Sequence, residues 1–262
     1  MKFTKDDIIC TDKYLEKFQN CYYKTDVIWK KTPITWRGRV IYPPKNKLEM
    51  IVSGHSDYPI TDEMVDYYQP KIWFTVNKQT NRKSVFSLPL GITNNTNESR
   101  LHPIYGNLDC MMSVMKEKIK NKNLVYMNIN ISTYPIERQI VWDLLNGKEW
   151  VTVGTVDNSI QGRTKFLRDI KAHLFVVCPR GNGLDTHRLW ETLYMGSIPI
   201  VKKDIGYAEF EDLPICFVNE WKEVTREWLE CERKRIMKKE WNMDKLKISY
   251  WIDKINNMKI SV

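Results

Sequence analysis

Short apolar runs along the chain alternate with longer stretches in which apolar residues recur every three or four positions. The runs predict buried strands, and the periodic stretches predict amphipathic helices. Because strands that alternate with helices form parallel sheets covered on both faces, the pattern predicts an α/β fold with mostly parallel sheets. The predicted strands lie at 40–42, 48–52, 71–76, 85–88, 124–129, 150–153, 174–178, 198–201 and 213–217. The predicted helices lie at 12–19, 61–68, 109–120, 135–145, 164–172, 186–195 and from 220 to the end.

A junction rich in Lys and Asn at 120–123 divides these elements into two series. We therefore expect two Rossmann-like domains facing a cleft, over residues 1–120 and 121–262, with room for the last helices to pack back on the first domain. The helix at 135–145 has an apolar face, which we expect to pack inward through Ile136, Ile140, Val141 and Leu144.

Composition narrows the class of protein. Of the 262 residues, 42% are apolar and 12% are aromatic, which excludes a disordered or fibrous chain. No apolar run approaches the roughly 20 residues that a membrane helix needs, and the N-terminus carries two Asp where a signal peptide needs apolar residues. The six Cys include no C-x-x-C pair, so a disulfide framework is not expected. We expect a soluble, cytoplasmic protein with no membrane span and with reduced thiols.

The chain is basic, with 41 Lys and Arg against 32 Asp and Glu and a net charge of +9. This excess suits a nucleic acid or a polyanionic small molecule such as a nucleotide diphosphate. The densest basic cluster, at 233–239, lies among Glu residues, which favours a solvated helix face. No nucleic-acid-binding motif accompanies the charge. A basic, non-catalytic module that binds nucleic acid or glycan is therefore the alternative function, and we expect no nucleic-acid partner.

The densest group of chemically competent side chains lies between Phe175 and Val201, in the sequence FVVCPRGNGLDTHRLWETLYMGSIPIV. The segment predicts a strand, a glycine turn, a helix and a strand. Gly181 and Gly183 suit a backbone that approaches a ligand closely or adopts positive φ. The helix after the turn presents free amides and a positive dipole end, which favour an anion. In open α/β sheets, ligands bind at the carboxyl ends of the strands, where this turn lies.

Spacing within the helix sharpens this expectation. His187, Arg188 and Glu191 lie near one edge of the helix, and the buried side is expected to carry Trp190, Leu193 and Tyr194. Arg188, together with Arg180 in the turn, can bind a phosphate, and Glu191 can accept hydrogen bonds from ribose hydroxyls.

A plainer interpretation stays open for the same residues. The glycine turn would then be a tight connection, Asp185 or Thr186 would cap the helix, and His187 would be a further cap. Arg188 and Glu191 would form a surface ion pair. Against this, a mere connector has no need of so many charged and polar side chains.

This segment resembles the donor-binding segment of exostosin-like glycosyltransferases, and it is closer still to small glycosyltransferases of the xylosyltransferase type from large DNA viruses of algae. The resemblance is strong over 175–201, looser over 122–221 and weak before that. It implies a GT-B architecture, with the nucleotide-sugar on the C-terminal domain and the acceptor on the N-terminal domain. It also implies a UDP-sugar donor, UDP-xylose as the first guess, and a glycan acceptor, free or on a glycoprotein. For a viral chain, the compartment would be the host cytoplasm.

The resemblance also implies roles for individual residues. The turn that faces the nucleotide-sugar is matched by Arg180, Asn182 and Asp185, the diphosphate position by Arg188, and the ribose position by Glu191. Arg138 follows the first strand of the second domain, after Asn130 and Ser132, where such enzymes often place a diphosphate-binding Arg. An ordinary exposed helix residue is an equal alternative for Arg138.

Sugar transfer builds negative charge on the departing diphosphate, which either a metal held by D-x-D or arginines and helix amides can stabilise. The sequence contains no D-x-D and no His pair with metal-ligand spacing. We therefore expect metal-independent chemistry and no cofactor besides the nucleotide-sugar as co-substrate. If the transfer inverts configuration, the acceptor needs a base, for which the elbow at 53–57 offers Asp57 first and His55 second. A turn-capping Asp is an equal alternative.

Overall fold

The protein is represented by a computed structural model that describes residues 2–19, 27–31, 34–36, 39–41, 50–54, 57–97 and 99–260. The strands are β1 (Val27–Lys31), β2 (Ile34–Trp36), β3 (Arg39–Ile41), β4 (Met50–Gly54), β5 (Ile72–Thr75), β6 (Val85–Ser87), β7 (Asn123–Met127), β8 (Val151–Val153), β9 (His173–Val177), β10 (Ile198–Lys202) and β11 (Cys216–Val218). The helices are α1 (Thr11–Gln19), α2 (Asp62–Tyr68), α3 (His102–Tyr105), α4 (Leu108–Lys116), α5 (Pro135–Leu145), α6 (Ile160–Ala172), α7 (His187–Tyr194), α8 (Arg226–Lys238) and α9 (Ile248–Ile260).

The strands form two parallel sheets and a small antiparallel hairpin of β2 and β3. The first sheet has the order β1-β4-β5-β6, and the second has the order β11-β10-β9-β7-β8. All neighbours within these two sheets are parallel. The predicted α/β class with mostly parallel sheets is therefore confirmed. Below, "first half" means the described residues before 121, and "second half" means those from 121 onward.

The second sheet reverses direction between β7 and β9. The chain passes from β7 outward to β8, then returns across β7 to β9 and continues to β10 and β11. Connections on the two sides of such a switch point lie on opposite faces of the sheet, so the loops after β7 and β9 diverge and leave a crevice at the carboxyl edge. The described part of the first sheet adds its strands in chain order and has no such reversal.

One continuous hydrophobic cluster joins the two halves. It contains Phe74 from the first sheet together with Trp190 of α7 and Trp251 of α9. The C-terminal helix also touches the first residues of the chain, because the Ile248 amide donates to the carbonyl of Asp7 at 2.9 Å. The division of the chain at residue 120 stays a prediction.

Helix α5 has the predicted bounds, and Val141 is buried as predicted, but the rest of its buried face differs from the prediction. Ile136 and Ile140, predicted to face inward, are 76% and 51% exposed. Arg138, Val141 and Leu145 are buried instead. The helix is rotated relative to the prediction because Arg138 turns inward and donates to backbone carbonyls beneath it. The interpretation of Arg138 as an exposed residue is therefore wrong as well.

Other differences concern element ends. Helix α6 begins before the predicted residue 164 because the Ser159 hydroxyl accepts a hydrogen bond from the Gly162 amide and caps the helix. The C-terminal region is not one helical stretch: α8 and α9 are separated by a segment that includes the 3₁₀ helix Met243–Leu246. Among the described helices, none combines the length and the apolar character needed to cross a bilayer.

Candidate functional site

A cavity of about 670 Å³ lies between the two halves at the carboxyl edge of the second sheet. Its volume falls in the range of small-molecule sites. The second half contributes the loops after β7, β8 and β9 and the first turns of α6 and α7. The first half contributes Thr11, Asp57, Leu90, Thr93, Asn94, Leu101, His102 and Tyr105. The cavity thus occupies the crevice that the strand order of the second sheet creates.

The glycine turn lines this cavity through Gly181, Asn182 and Gly183. Neither glycine has positive φ, so that part of the sequence expectation is wrong. The close approach at Gly183 is within the protein: a methyl group added there would lie 2.9 Å from Nδ2 of Asn77 and 3.1 Å from Oδ1 of Asp57. A residue with a side chain at 183 would therefore push against the opposite wall.

Arg188 lies in the first turn of α7 and lines the cavity. Its guanidinium carbon lies 5.7 Å from the ring centroid of Phe166, and it forms no ion pair with any described residue. Its buried Nε has no hydrogen-bond partner among the described residues. Helix α7 follows the N-cap residue Thr186, whose side chain forms no hydrogen bond to the amides of the first turn. The Leu189 amide donates to the Thr186 carbonyl instead. The guanidinium of Arg188 and the positive dipole end of α7 therefore lie close together.

Glu191 is buried and forms an ion pair with Arg163 of α6, with 2.7 Å between Oε1 and Nη2. The proposed surface pair between Arg188 and Glu191 is therefore wrong. Nη2 of Arg163 also donates to the carbonyl of Tyr105 at 2.9 Å. Both Arg163 and Glu191 line the cavity, so the buried pair forms part of its wall.

Arg138 connects the two loops at the switch point. Its Nε donates to the carbonyl of Arg180 at 2.8 Å, and its Nη1 donates to the carbonyl of Asn130 at 2.9 Å. Burial, and then the neighbouring charge of Arg188, lowers the pKa of Arg138 to about 10. The guanidinium lines the cavity and fixes the relative position of the loops after β7 and β9.

Asp185 fastens the glycine turn to the first half. Its carboxylate accepts hydrogen bonds from the Leu90 amide at 2.8 Å and from Nε1 of Trp190 at 2.8 Å, and its own amide donates to Oδ1 of Asn77 at 2.9 Å. Burial raises the pKa of Asp185 to about 7, although these hydrogen bonds oppose the shift. With its oxygens engaged in this way, Asp185 holds the walls together.

His187 forms a second connection between the halves. Its Nδ1 lies 2.8 Å from the carbonyl oxygen of Gly91, which sets Nδ1 as the protonated nitrogen in the neutral ring. Burial lowers the pKa of His187, so the neutral form is favoured. The ring therefore contributes shape to the cavity wall rather than charge.

Arg180 folds back on the glycine turn and does not line the cavity that Arg188 lines. Its guanidinium lies 4.6 Å from the ring centroid of Tyr134 and its Nη2 donates to the carbonyl of Asn182 at 3.1 Å. It lines a smaller cavity of about 220 Å³ on the far side of the turn, together with Lys202 and Lys203. The structure thus separates Arg180 from Arg188.

The candidate bases lie in the first half. Asp57 is exposed, lines the cavity and faces Gly183 across it. His55 lies outside the described residues. The structure therefore brings Asp57 to the same cavity as Arg138, Arg188 and Glu191, as a site between the halves requires. Among the described residues, no group of three or more His, Cys, Asp or Glu is placed to hold a metal ion.

Sequence reasoning missed Arg163. The signal was present, because Arg163 lies four residues before Leu167 and seven before Ile170, on the buried stripe of α6. An arginine on an apolar stripe needs buried partners. The predicted helix began at residue 164, and this hid the position of Arg163.

No family model matches the chain, and no curated protein matches it. Among solved structures, the chain is similar to one described as the crystal structure of an alpha1,3-fucosyltransferase, at 13% identity and a TM-score of 0.34. The match covers 78% of this chain and 70% of that chain. A likeness at this low identity and TM-score supports no conclusion about activity.

Proposed function

We propose that this protein is a glycosyltransferase that moves a sugar from a nucleotide-diphosphate donor to a glycan hydroxyl. The observation that carries the proposal is the position of Arg188. Its guanidinium has no ion-pair partner among the described residues and stands beside the uncapped start of α7, at the switch-point crevice. A diphosphate is a ligand that both the positive end of a helix dipole and a guanidinium favour.

Charge in the cavity wall supports an anionic ligand. The second half contributes three arginines, Arg138, Arg163 and Arg188, together with the acids Asp157, Asp185 and Glu191. Glu191 is already paired with Arg163, and burial disfavours the charged form of Asp185. In a site shielded from water, such fixed positive groups stabilise charge that develops on a leaving group. We propose that they replace a divalent metal in this role and that no metal is required.

In the proposed reaction, the acceptor oxygen forms a bond to the anomeric carbon while the bond from that carbon to the diphosphate oxygen breaks. The electron pair of the broken bond stays on the diphosphate, next to Arg188. For an inverting transfer, the acceptor proton passes to the carboxylate of Asp57, which faces the glycine turn from the opposite wall. General-base catalysis of this kind contributes about 10²- to 10⁴-fold to the rate.

The remaining assignments belong to the same proposal. Gly181, Asn182 and Gly183 line the space beside the donor, and Arg138 holds the loops that flank it. UDP-sugars are the first donors to test, with UDP-xylose at the head of the series. The acceptor is a glycan hydroxyl that enters from the first half.

A thermal-shift panel of UDP- and GDP-sugars tests the proposal. A ligand at 100 times its Kd stabilises the folded state by about 2.7 kcal/mol, which raises Tm by roughly 5–10 °C for a chain of this size. We expect Arg188→Ala to abolish the shift. Arg233→Ala removes an exposed charge of the same sign on α8 and should leave it intact. A wild-type Tm that ignores every nucleotide-sugar would contradict the proposal.

A further inference from the structure

Arg163 is a fully buried arginine whose side chain is only partly hydrogen-bonded. Its side chain is 1% exposed, and Nη2 serves both Glu191 and the carbonyl of Tyr105. Nε and Nη1 are buried without a hydrogen-bond partner among the described residues. A buried donor left unpaired destabilises the folded protein, so two of them on one charged group call for an acceptor.

The guanidinium is held in place around these unpaired donors. Its central carbon lies 5.5 Å from the ring centroid of Tyr105 and 5.6 Å from that of Phe166. The ion pair with Glu191 holds the remaining nitrogen of Arg163, Nη2, in place. Arg163 therefore cannot turn freely to satisfy Nε and Nη1 elsewhere, and all four of these residues line the cavity.

A second arginine stands on the same aromatic ring. The guanidinium carbon of Arg188 lies 5.7 Å from the centroid of Phe166 and that of Arg163 lies 5.6 Å from it. Two cations share this part of the wall, and Glu191 is the carboxylate paired with one of them. The local excess of positive charge and the unpaired donors both favour a multiply charged anion.

We infer that Arg163 binds the anionic group of the ligand directly through Nε and Nη1, and that Glu191 acts as a positioning residue that holds Arg163. The ligand class is a diphosphate or another anion with oxygens spread over two centres. The identity of that anion as part of a nucleotide-sugar rests on the proposed function. Glu191 then contributes to diphosphate binding through Arg163. This role replaces the contact with ribose that the sequence predicted for Glu191.

Binding of inorganic pyrophosphate, measured by calorimetry, tests the anion site without knowledge of the nucleotide. We expect Arg163→Lys to weaken pyrophosphate at least tenfold and to weaken UDP or GDP by a similar factor, with little effect on uridine or guanosine. Arg168→Lys, on the exposed face of the same helix, should leave all affinities within about twofold. Glu191→Gln removes the charge that holds Arg163 and should weaken pyrophosphate and UDP or GDP by the same factor, with little effect on uridine or guanosine.

Several outcomes would overturn the inference: wild type that binds no pyrophosphate, unchanged binding in Arg163→Lys, or an equal loss for nucleosides and diphosphates. A loss in Glu191→Gln confined to nucleotides would restore the ribose role. If Arg163→Lys does not fold, a crystal of the wild-type protein with pyrophosphate decides, since a phosphate oxygen must lie within hydrogen-bond distance of Nε or Nη1. The two proposals can also fail separately. If pyrophosphate binding depends on Arg163 but no nucleotide-sugar binds, the anion site is confirmed and the proposed function is wrong.

Discussion

The two walls of the cavity differ in charge and in how they are built. The second-half wall contains three arginines, held by backbone carbonyls, aromatic rings and the buried carboxylate of Glu191, and it also carries Asp157 and the buried Asp185. The described part of the first-half wall presents mainly neutral polar groups and one exposed acid, Asp57. A wall with three fixed arginines suits an anionic group, and a polar wall without arginine among its described residues suits hydroxyl groups. Under the proposed function, the contrast favours the second half as the donor side and the first half as the acceptor side.

Sheet topology explains the contrast. The loops after β7 and β9 diverge at a switch point, which leaves room for a ligand and for the first turns of α6 and α7. The described strands of the first sheet follow one another without a reversal. That half therefore reaches the cavity through loop residues such as Thr93 and Asn94 rather than through a crevice of its own.

Replacement of the lone acid on the first-half wall is the largest expected effect. Asp57→Asn should lower kcat at least a hundredfold, because the proposed base is lost, while donor-induced stabilisation stays at the wild-type level. Asp66→Asn, on exposed α2, is the matched control and should keep kcat within about twofold. If Asp57→Asn keeps the wild-type kcat, Asp57 is not the base. That result would not bear on the proposed donor site in the second half.

The connection between the walls predicts a dependence of stability on pH. Asp185 has a pKa of about 7 in the folded protein and an ordinary value of 3.8. Between these values the folded state binds more protons than the unfolded state, so the free energy of unfolding falls as pH rises from about 4 to about 7. Ionisation of Asp185 lowers the free energy of unfolding by at most about 4 kcal/mol across this window. Above the folded pKa of about 7, this loss is complete.

Asp185→Asn should remove this dependence. The free energy of unfolding of wild type minus that of the variant, from urea titrations at a series of pH values, is expected to fall through this window and then level off. A difference that stays constant across the window would mean that Asp185 is not held in a buried, desolvated position between the walls.

A smaller loss of activity is expected from a substitution at Gly183, where the two walls come closest. Gly183→Ala would press a methyl group against Asn77 and Asp57, which can shift because the contacts are at side-chain ends. We expect about a tenfold loss of kcat, since Asp57 is displaced, with a stability loss below about 2 kcal/mol. Gly181→Ala meets its neighbours at 3.5 Å and should be neutral or slightly stabilising. Equal stability and kcat in the two variants would contradict the close approach at Gly183.

Local pattern was sufficient for the order of strands and helices from β7 to β11. The strand–turn–helix order around Gly181 and Arg188 follows from periodicity, and ligands bind at the carboxyl edge of such sheets. The partners of charged residues could not be predicted in the same way. Arg138, Arg163 and Glu191 are buried through contacts with residues far away in the sequence.

The same limit explains the wrong face of α5. Apolar spacing favoured Ile136 and Ile140, but the carbonyls of Asn130 and Arg180 draw Arg138 inward and turn those isoleucines to the surface. A sequence pattern records which residues avoid water on average. It does not record that a buried arginine has found backbone acceptors.

A crystal structure with UDP or GDP bound would test the donor wall most directly. The account predicts diphosphate oxygens within hydrogen-bond distance of the first amides of α7 and of the Arg188 guanidinium. A nucleotide seated elsewhere, for example on the exposed basic cluster at 233–239, with that crevice unfilled, would contradict it.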